Sequence, residues 1–160
     1  MNRTLSRETL SPVGAVARGL VAGAAGTAVM TAAQNAYYKA TGSESSSTPY
    51  EVAKRIVEGV LQREVPAERK EMLNTGMHVF YGTSWGAPYG IMSGSHDSPA
   101  PVLSSAIALG VAVWGASLVQ LPAMQLAPPV WEYPPKSLAT DLGFHLVYGL
   151  GTALVFRALR

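Results

Sequence analysis

The chain has no cysteine among its 160 residues. Disulfides, thiolate metal sites and cysteine nucleophiles are therefore excluded, and the redox compartment leaves no mark on the sequence. Charge is also scarce. Asp, Glu, Lys and Arg make up 14% of the residues, against about a quarter in an ordinary soluble domain. The formal net charge is only +2, and no basic run is interleaved with aromatic residues, so nucleic acid is not an expected partner. Most catalytic templates are missing too. There is no nucleophile elbow, Walker loop, His-Glu-x-x-His pair or pair of intramembrane carboxylates, so no enzymatic reaction, catalytic residue or resident metal is legible.

What charge there is falls unevenly. Stretches of 20, 25, 34 and 15 residues without a formal charge separate Arg18 from Lys39, Glu71 from Asp97, Asp97 from Glu132, and Asp141 from Arg157. Meanwhile 12 of the 22 charged residues lie between Lys39 and Glu71. A membrane-spanning helix needs about 20 mostly apolar residues. Three gaps reach that length outright, and the fourth does so if Asp141 and Arg157 sit at the interfaces. With 48% hydrophobic residues, the pattern predicts one all-α membrane domain over residues 1–160. Its spans are expected at about 13–38, 72–93, 102–124 and 137–159. An Ala/Gly-rich soluble bundle fits less well, because soluble helices present a charged face and these do not. A cleaved leader is also the poorer reading of the first span: its apolar run is too long, and Glu8 and Arg18 interrupt the usual layout.

Between the first two spans, a polar linker (Thr41 to Thr48) leads to Pro49 and a predicted amphipathic helix at about 50–64. Ala53, Ile56, Val57, Val60 and Leu61 share one face, opposite Lys54, Arg55, Glu58 and Gln62. Such a segment lies on a membrane surface or caps a bundle. Small residues recur every fourth position in the first span (Ala15, Gly19, Gly23, Thr27, Thr31) and again in the second (Gly82, Gly86, Gly90). These glycine-zipper stripes are expected to mark close helix contacts. A Pro-rich loop (Pro128, Pro129, Pro134, Pro135) carries Trp131 and Tyr133 as interfacial anchors. Trp85 and Trp114 read as packing residues.

The chain also repeats itself. Asn74-Thr-Gly-Met-His78-Val-Phe-Tyr-Gly82 matches Asp141-Leu-Gly-Phe-His145-Leu-Val-Tyr-Gly149. More loosely, Gly26-Thr-Ala-Val matches Gly115-Ala-Ser-Leu. Two helical hairpins related by an axis near the membrane normal are expected, with His78 and His145 at equal depth. Gln34, Asn35 and Gln120 fall towards the same end. The polar candidates for a binding site are therefore His78, His145, Asp141, Asn74, Gln34, Asn35 and Gln120. The histidines have three readings: hydrogen-bonded register pins, a proton- or ion-sensitive site with Asp141, or ligands to a haem held between the second and fourth spans. The first, with no cofactor, is the simplest. Asp141 itself reads as a helix-capping residue, and His96-Asp97 as a solvated turn rather than a metal site.

The Gly-rich first helix, together with the His-apolar-apolar-Tyr-Gly motifs at His78 and His145, resembles small bacterial inner-membrane proteins of the YagU-like kind. The resemblance covers most of the chain, although the long Pro-rich loop departs from it. It implies a bacterial plasma membrane and a compact four-helix unit, and it carries no activity or catalytic residues. The expected role is a non-enzymatic accessory or scaffold subunit that associates with itself or with a larger membrane complex. The alternative is an oligomeric small transporter or channel using His78, Asp141 and His145. The basic leading end of the first span predicts termini in the cytoplasm.

Overall fold

The computed structural model of the protein describes residues 10–95 and 100–160, so the His96-Asp97 turn lies outside the described residues. Among the described residues the regular structure is all helical. Five α-helices follow one another: α1 (Pro12–Thr41), α2 (Thr48–Val60), α3 (Lys70–Gly94), α4 (Val102–Ala123) and α5 (Pro135–Ala158). Two 3-10 turns, Ala67–Arg69 and Val130–Glu132, lead into α3 and towards α5. Three of the helices, α1, α4 and α5, are long and apolar enough to cross a membrane. α3 is 25 residues long, but Asn74, His78, Thr83, Ser84 and its glycines dilute its hydropathy, and it is not among those three.

The helix ends follow from local chemistry. Ser11 caps α1, its hydroxyl accepting the Gly14 N–H at 3.2 Å, and Pro12 supplies a preset φ at the first helical position. α1 runs to Thr41, beyond the expected end near 38, and stops where Gly42 turns left-handed at φ 67°. α2 is shorter than expected. It ends at Val60, and Gln62 adopts a positive φ of 50°, which breaks the helix before the anticipated residue 64. α5 begins at Pro135, so Asp141 sits in its second turn and is not a cap. The Pro134-Pro135 pair starts the helix earlier than the hydropathy pattern suggests.

α1 is the central helix. It packs against α3 on one side and α5 on the other; α4 packs on α5, and α2 lies on α3. Gly19 faces Gly86 while Gly23 faces Gly82, so α1 and α3 are antiparallel. Gly110 against His145 and Gly149 against Ala106 give the same result for α4 and α5. In both seams the backbones touch. A Cβ on Gly19 would overlap the Gly86 carbonyl oxygen, one on Gly90 the Ala15 carbonyl, and one on Gly149 the Ala106 carbonyl. The glycine stripes of α1 and α3 therefore face each other within the chain.

The second half of the expected repeat takes a different register. Gly82 meets Gly23 and Thr27, whereas Gly149 meets Ala106 and Gly110. Gly26 and Gly115 do not correspond: Gly26 is wedged against Tyr148 and Thr152, while Gly115 has open space around it. The two hairpins also meet unequally. α1 packs closely on α5, but α3 and α4 approach each other little. Long side chains fill that gap. Tyr81, Trp85 and Tyr89, spaced four apart on α3, pack against a buried cluster of Met30, Leu109, Val113 and Tyr148.

Candidate functional site

Most of the polar side chains singled out in the sequence fall at the end of the helices that carries the α1–α2 connection and the Pro-rich loop. Using α1 as a ruler, His78 of α3 sits opposite Thr31. Phe144, the neighbour of His145 on α5, packs edge-on to Tyr37 and Tyr38. One turn inward, Gly82 faces Thr27 and Tyr148 faces Gly26. The two histidines therefore sit within about one helical turn of the same depth.

Both rings are held through Nδ1. The Thr31 hydroxyl gives its proton to the Thr27 carbonyl at 2.9 Å. The Nδ1 of His78 lies 3.4 Å from the Thr31 oxygen, and with the hydroxyl proton given to the Thr27 carbonyl this contact suits a proton on Nδ1. His145 Nδ1 lies 2.8 Å from the Asp141 backbone carbonyl, which can only accept, so this nitrogen also carries the proton. With Nδ1 engaged in each ring, Nε2 is the remaining ring nitrogen. The Asp141 carboxylate is 3.6 Å from His145 Nδ1, with side-chain exposures of 47% for the acid and 12% for the imidazole. The buried Trp114 indole nitrogen lies beside that carboxylate without reaching hydrogen-bond geometry. From the Pro-rich loop, burial and the nearby Asp141 charge push the Tyr133 phenol above its ordinary pKa.

The remaining candidates are occupied elsewhere. Asn74 does not join His78. Its Oδ1 accepts the Tyr50 backbone N–H at 3.0 Å, and its amide donates to the Ser46 carbonyl at 3.2 Å. It thereby ties the first turn of α2 to α3, because α2 folds back over the start of α3. The Lys70 ammonium lies 5.6 Å above the Tyr50 ring and adds to that joint. Gln120 accepts the Tyr81 hydroxyl at 2.9 Å and bridges the gap between α3 and α4. Gln34 is half-buried and Asn35 exposed, and neither enters this set of bonds.

Sequence reasoning missed Thr31 as the partner of His78, although its place on the small-residue stripe, one turn past Thr27, was visible. It also missed Trp114 and Tyr148. Tyr148 is 2% exposed and donates to the Gly82 carbonyl at 2.7 Å, so it fills the space between α3 and α5 one turn inside the histidines. A haem between His78 and His145 would have to displace that ring, and the residues present do not fit a macrocycle. Among the described residues, no three His, Asp or Glu side chains converge as metal ligands. Comparison with known proteins adds no precedent: no protein-family model, curated protein or solved structure matches this chain.

Proposed function

We propose that the protein is a multi-pass, non-enzymatic subunit of a bacterial plasma membrane, built as a four-helix unit in which α3 spans alongside α1, α4 and α5. Its role in this reading is that of an accessory or scaffold subunit, associating with copies of itself or with a larger membrane complex. One observation carries the reading: three of the polar side chains singled out in the sequence tie one helix to another, and His145 is bonded within its own helix. Asn74 secures α2, Gln120 bridges to Tyr81, His78 bonds Thr31, and His145 bonds its own helix. Polar groups committed to partners in this way pin register rather than await a substrate. Val21, Val29, Leu103, Ile107, Val119 and Leu154 are exposed around the outside, as a lipid-facing surface requires.

The glycine stripes on α1 and α3 are consumed within the chain, so association with a partner uses other faces. The test is purification in a mild detergent with chemical cross-linking, followed by identification and stoichiometry of the cross-linked chains. A reproducible partner or self-complex supports the reading; a strictly monomeric protein with no cross-linked neighbour defeats it.

A second reading, an oligomeric small transporter or channel, is favoured by the half-exposed Asp141 carboxylate beside His145. It predicts proton or cation flux in proteoliposomes that Asp141→Asn abolishes. Equal flux with the variant, or none above empty vesicles, removes it.

A further inference from the structure

The outer face of α3 carries a polar notch. Pro88 lies inside the helix and has no N–H, so the Ser84 carbonyl four residues earlier loses its regular helical donor. The Ser84 hydroxyl does not replace it. That hydroxyl donates to the Tyr81 carbonyl at 2.7 Å, the oxygen that the Trp85 N–H serves in the regular helical pattern. One residue thus holds an acceptor short of its donor and a donor placed on an acceptor already served. Being on the same residue, the two cannot form a linear bond with each other.

The position of the notch makes it costly. Ser84 is two residues from both Gly82 and Gly86, which at about 3.6 residues per turn puts it on the far side of α3 from the α1 seam. It is exposed, as are Pro88 and, at 67% and 46%, Phe80 and Ile91. It also lies near the middle of the 25-residue helix, level with Gly23 of α1, which meets the neighbouring Thr83 carbonyl. In hydrocarbon no water reaches that level, and an unfilled backbone acceptor there is expensive. α3 is also outside the group of helices apolar enough to cross a membrane by themselves, so protein suits its outer face better than lipid.

The residues around the notch repeat as a packing seam does. Phe80, Ser84, Ala87 and Ile91 are spaced four, three and four apart, the alternation of left-handed helix pairs. A single polar position in such a seam fixes register and the number of partners. Complementary partial charges choose the occupant. Two identical parallel helices related by a two-fold axis set Ser84 against Ser84. Each hydroxyl then turns from Tyr81 to the Ser84 carbonyl of the other copy, and both unfilled acceptors are served at once. An unrelated helix would need its own donor and acceptor at this same depth.

Resting on the accessory-subunit reading above, we propose that the protein forms a parallel dimer through the outer face of α3. A second copy of the chain seats on Phe80, Ala87 and Ile91, with two reciprocal Ser84 bonds at the centre. Pro88 frees the acceptor and so makes the interface specific.

The chain has no cysteine of its own, so single cysteines report which faces meet. In liposomes, oxidised Phe80→Cys and Ile91→Cys proteins are expected as disulfide-linked dimers, while Val111→Cys, on an exposed position of α4, stays monomeric. Energy transfer between copies labelled at Val111→Cys then measures affinity. Pro88→Ala returns an N–H to the Ser84 carbonyl, and Ser84→Ala removes the donor. Each should weaken the dimer about fivefold, in line with hydrogen bonds between membrane helices. The α1–α3 seam should survive in both, read as unchanged unfolding of the monomer in excess detergent. If Pro88→Ala fails to fold, Ser84→Ala and the cysteine pair still decide the issue.

Cross-linking at Val111 equal to or above that at Phe80 and Ile91 overturns the proposal, as does a dimer whose affinity the folded variants leave unchanged. A different protein captured by Phe80→Cys in native membranes also overturns it, but leaves the accessory-subunit reading standing. A chain with no neighbour at any position, in liposomes and native membranes alike, defeats that reading as well.

Discussion

The seam between α1 and α3 and the gap between α3 and α4 solve the same problem in opposite ways. In the first, glycine meets glycine, and Gly19 and Gly86 bring two backbones into contact. In the second the backbones stay apart, and Tyr81, Trp85 and Tyr89 reach across. The two solutions occupy neighbouring faces of one helix, because glycines at 82, 86 and 90 and aromatics at 81, 85 and 89 each recur every fourth residue, one position out of step. Lipid gives helices no hydrophobic reason to associate, so close van der Waals contact must supply the drive. The glycine seam offers that contact over its whole length. The aromatic gap offers area and, among the described residues, an interhelical hydrogen bond between Tyr81 and Gln120. The first is rigid and intolerant of change, whereas the second can be refilled.

Substitutions sharpen this contrast, the most damaging first. Gly86→Leu places a side chain where the Gly19 carbonyl already is, and neither backbone can yield. Its cost should exceed about 3 kcal/mol, seen as loss of the folded, monodisperse protein on size exclusion. A stable variant with an unchanged melting temperature would break the account of the seam. Trp85→Ala empties part of the gap instead. The ring is only half-buried and lipid tails can refill the space, so about 2 kcal/mol is expected, measured by reversible unfolding in mixed micelles.

Asn74→Ala should cost about 1 kcal/mol, the usual worth of a helix cap, and the loss should be local. Amide exchange at Tyr50 and along α2 should quicken while α1 and α3 keep their protection. Tyr81→Phe removes the exposed bond to Gln120 across the gap and should cost no more than about 0.5–1 kcal/mol. Gly115→Leu, with open space around it, should stay within about 0.5 kcal/mol. A large loss of stability there would show that glycine content alone, rather than backbone contact, decides tolerance.

The comparison also separates what could be read in advance from what could not. The four-residue spacing of Gly82, Gly86 and Gly90 is a property of the chain, and so is the apolar length of α1, α4 and α5. The aromatic stripe beside the glycines was equally present in the sequence, but an aromatic at helical spacing looks the same whether it fills a gap, faces lipid or lines a site. The polar candidates show the same limit. His145 and Asp141 are four apart on one helix, so their proximity follows from local geometry. Asn74 and His78 have the same spacing, yet Asn74 is drawn away by α2, a segment 24 residues earlier whose path no local rule records. The loose match of Gly26 with Gly115 failed for a related reason. Short runs of small residues resemble one another by composition, while Gly26 is wedged against Tyr148 and Thr152 and Gly115 has open space around it.

By itself, then, the sequence determined that this protein is helical, that three of its helices are long and apolar enough for a membrane, and where its small residues recur. Those properties follow from chain length, charge spacing and a period of 3.6, which act along a single helix. Tertiary structure alone decided which faces meet, that α1 is the central helix, that Tyr148 fills the space between α3 and α5, and that one seam is left to side chains. Such choices depend on contacts between residues far apart in the chain, where the shape of one helix sets how closely another can come.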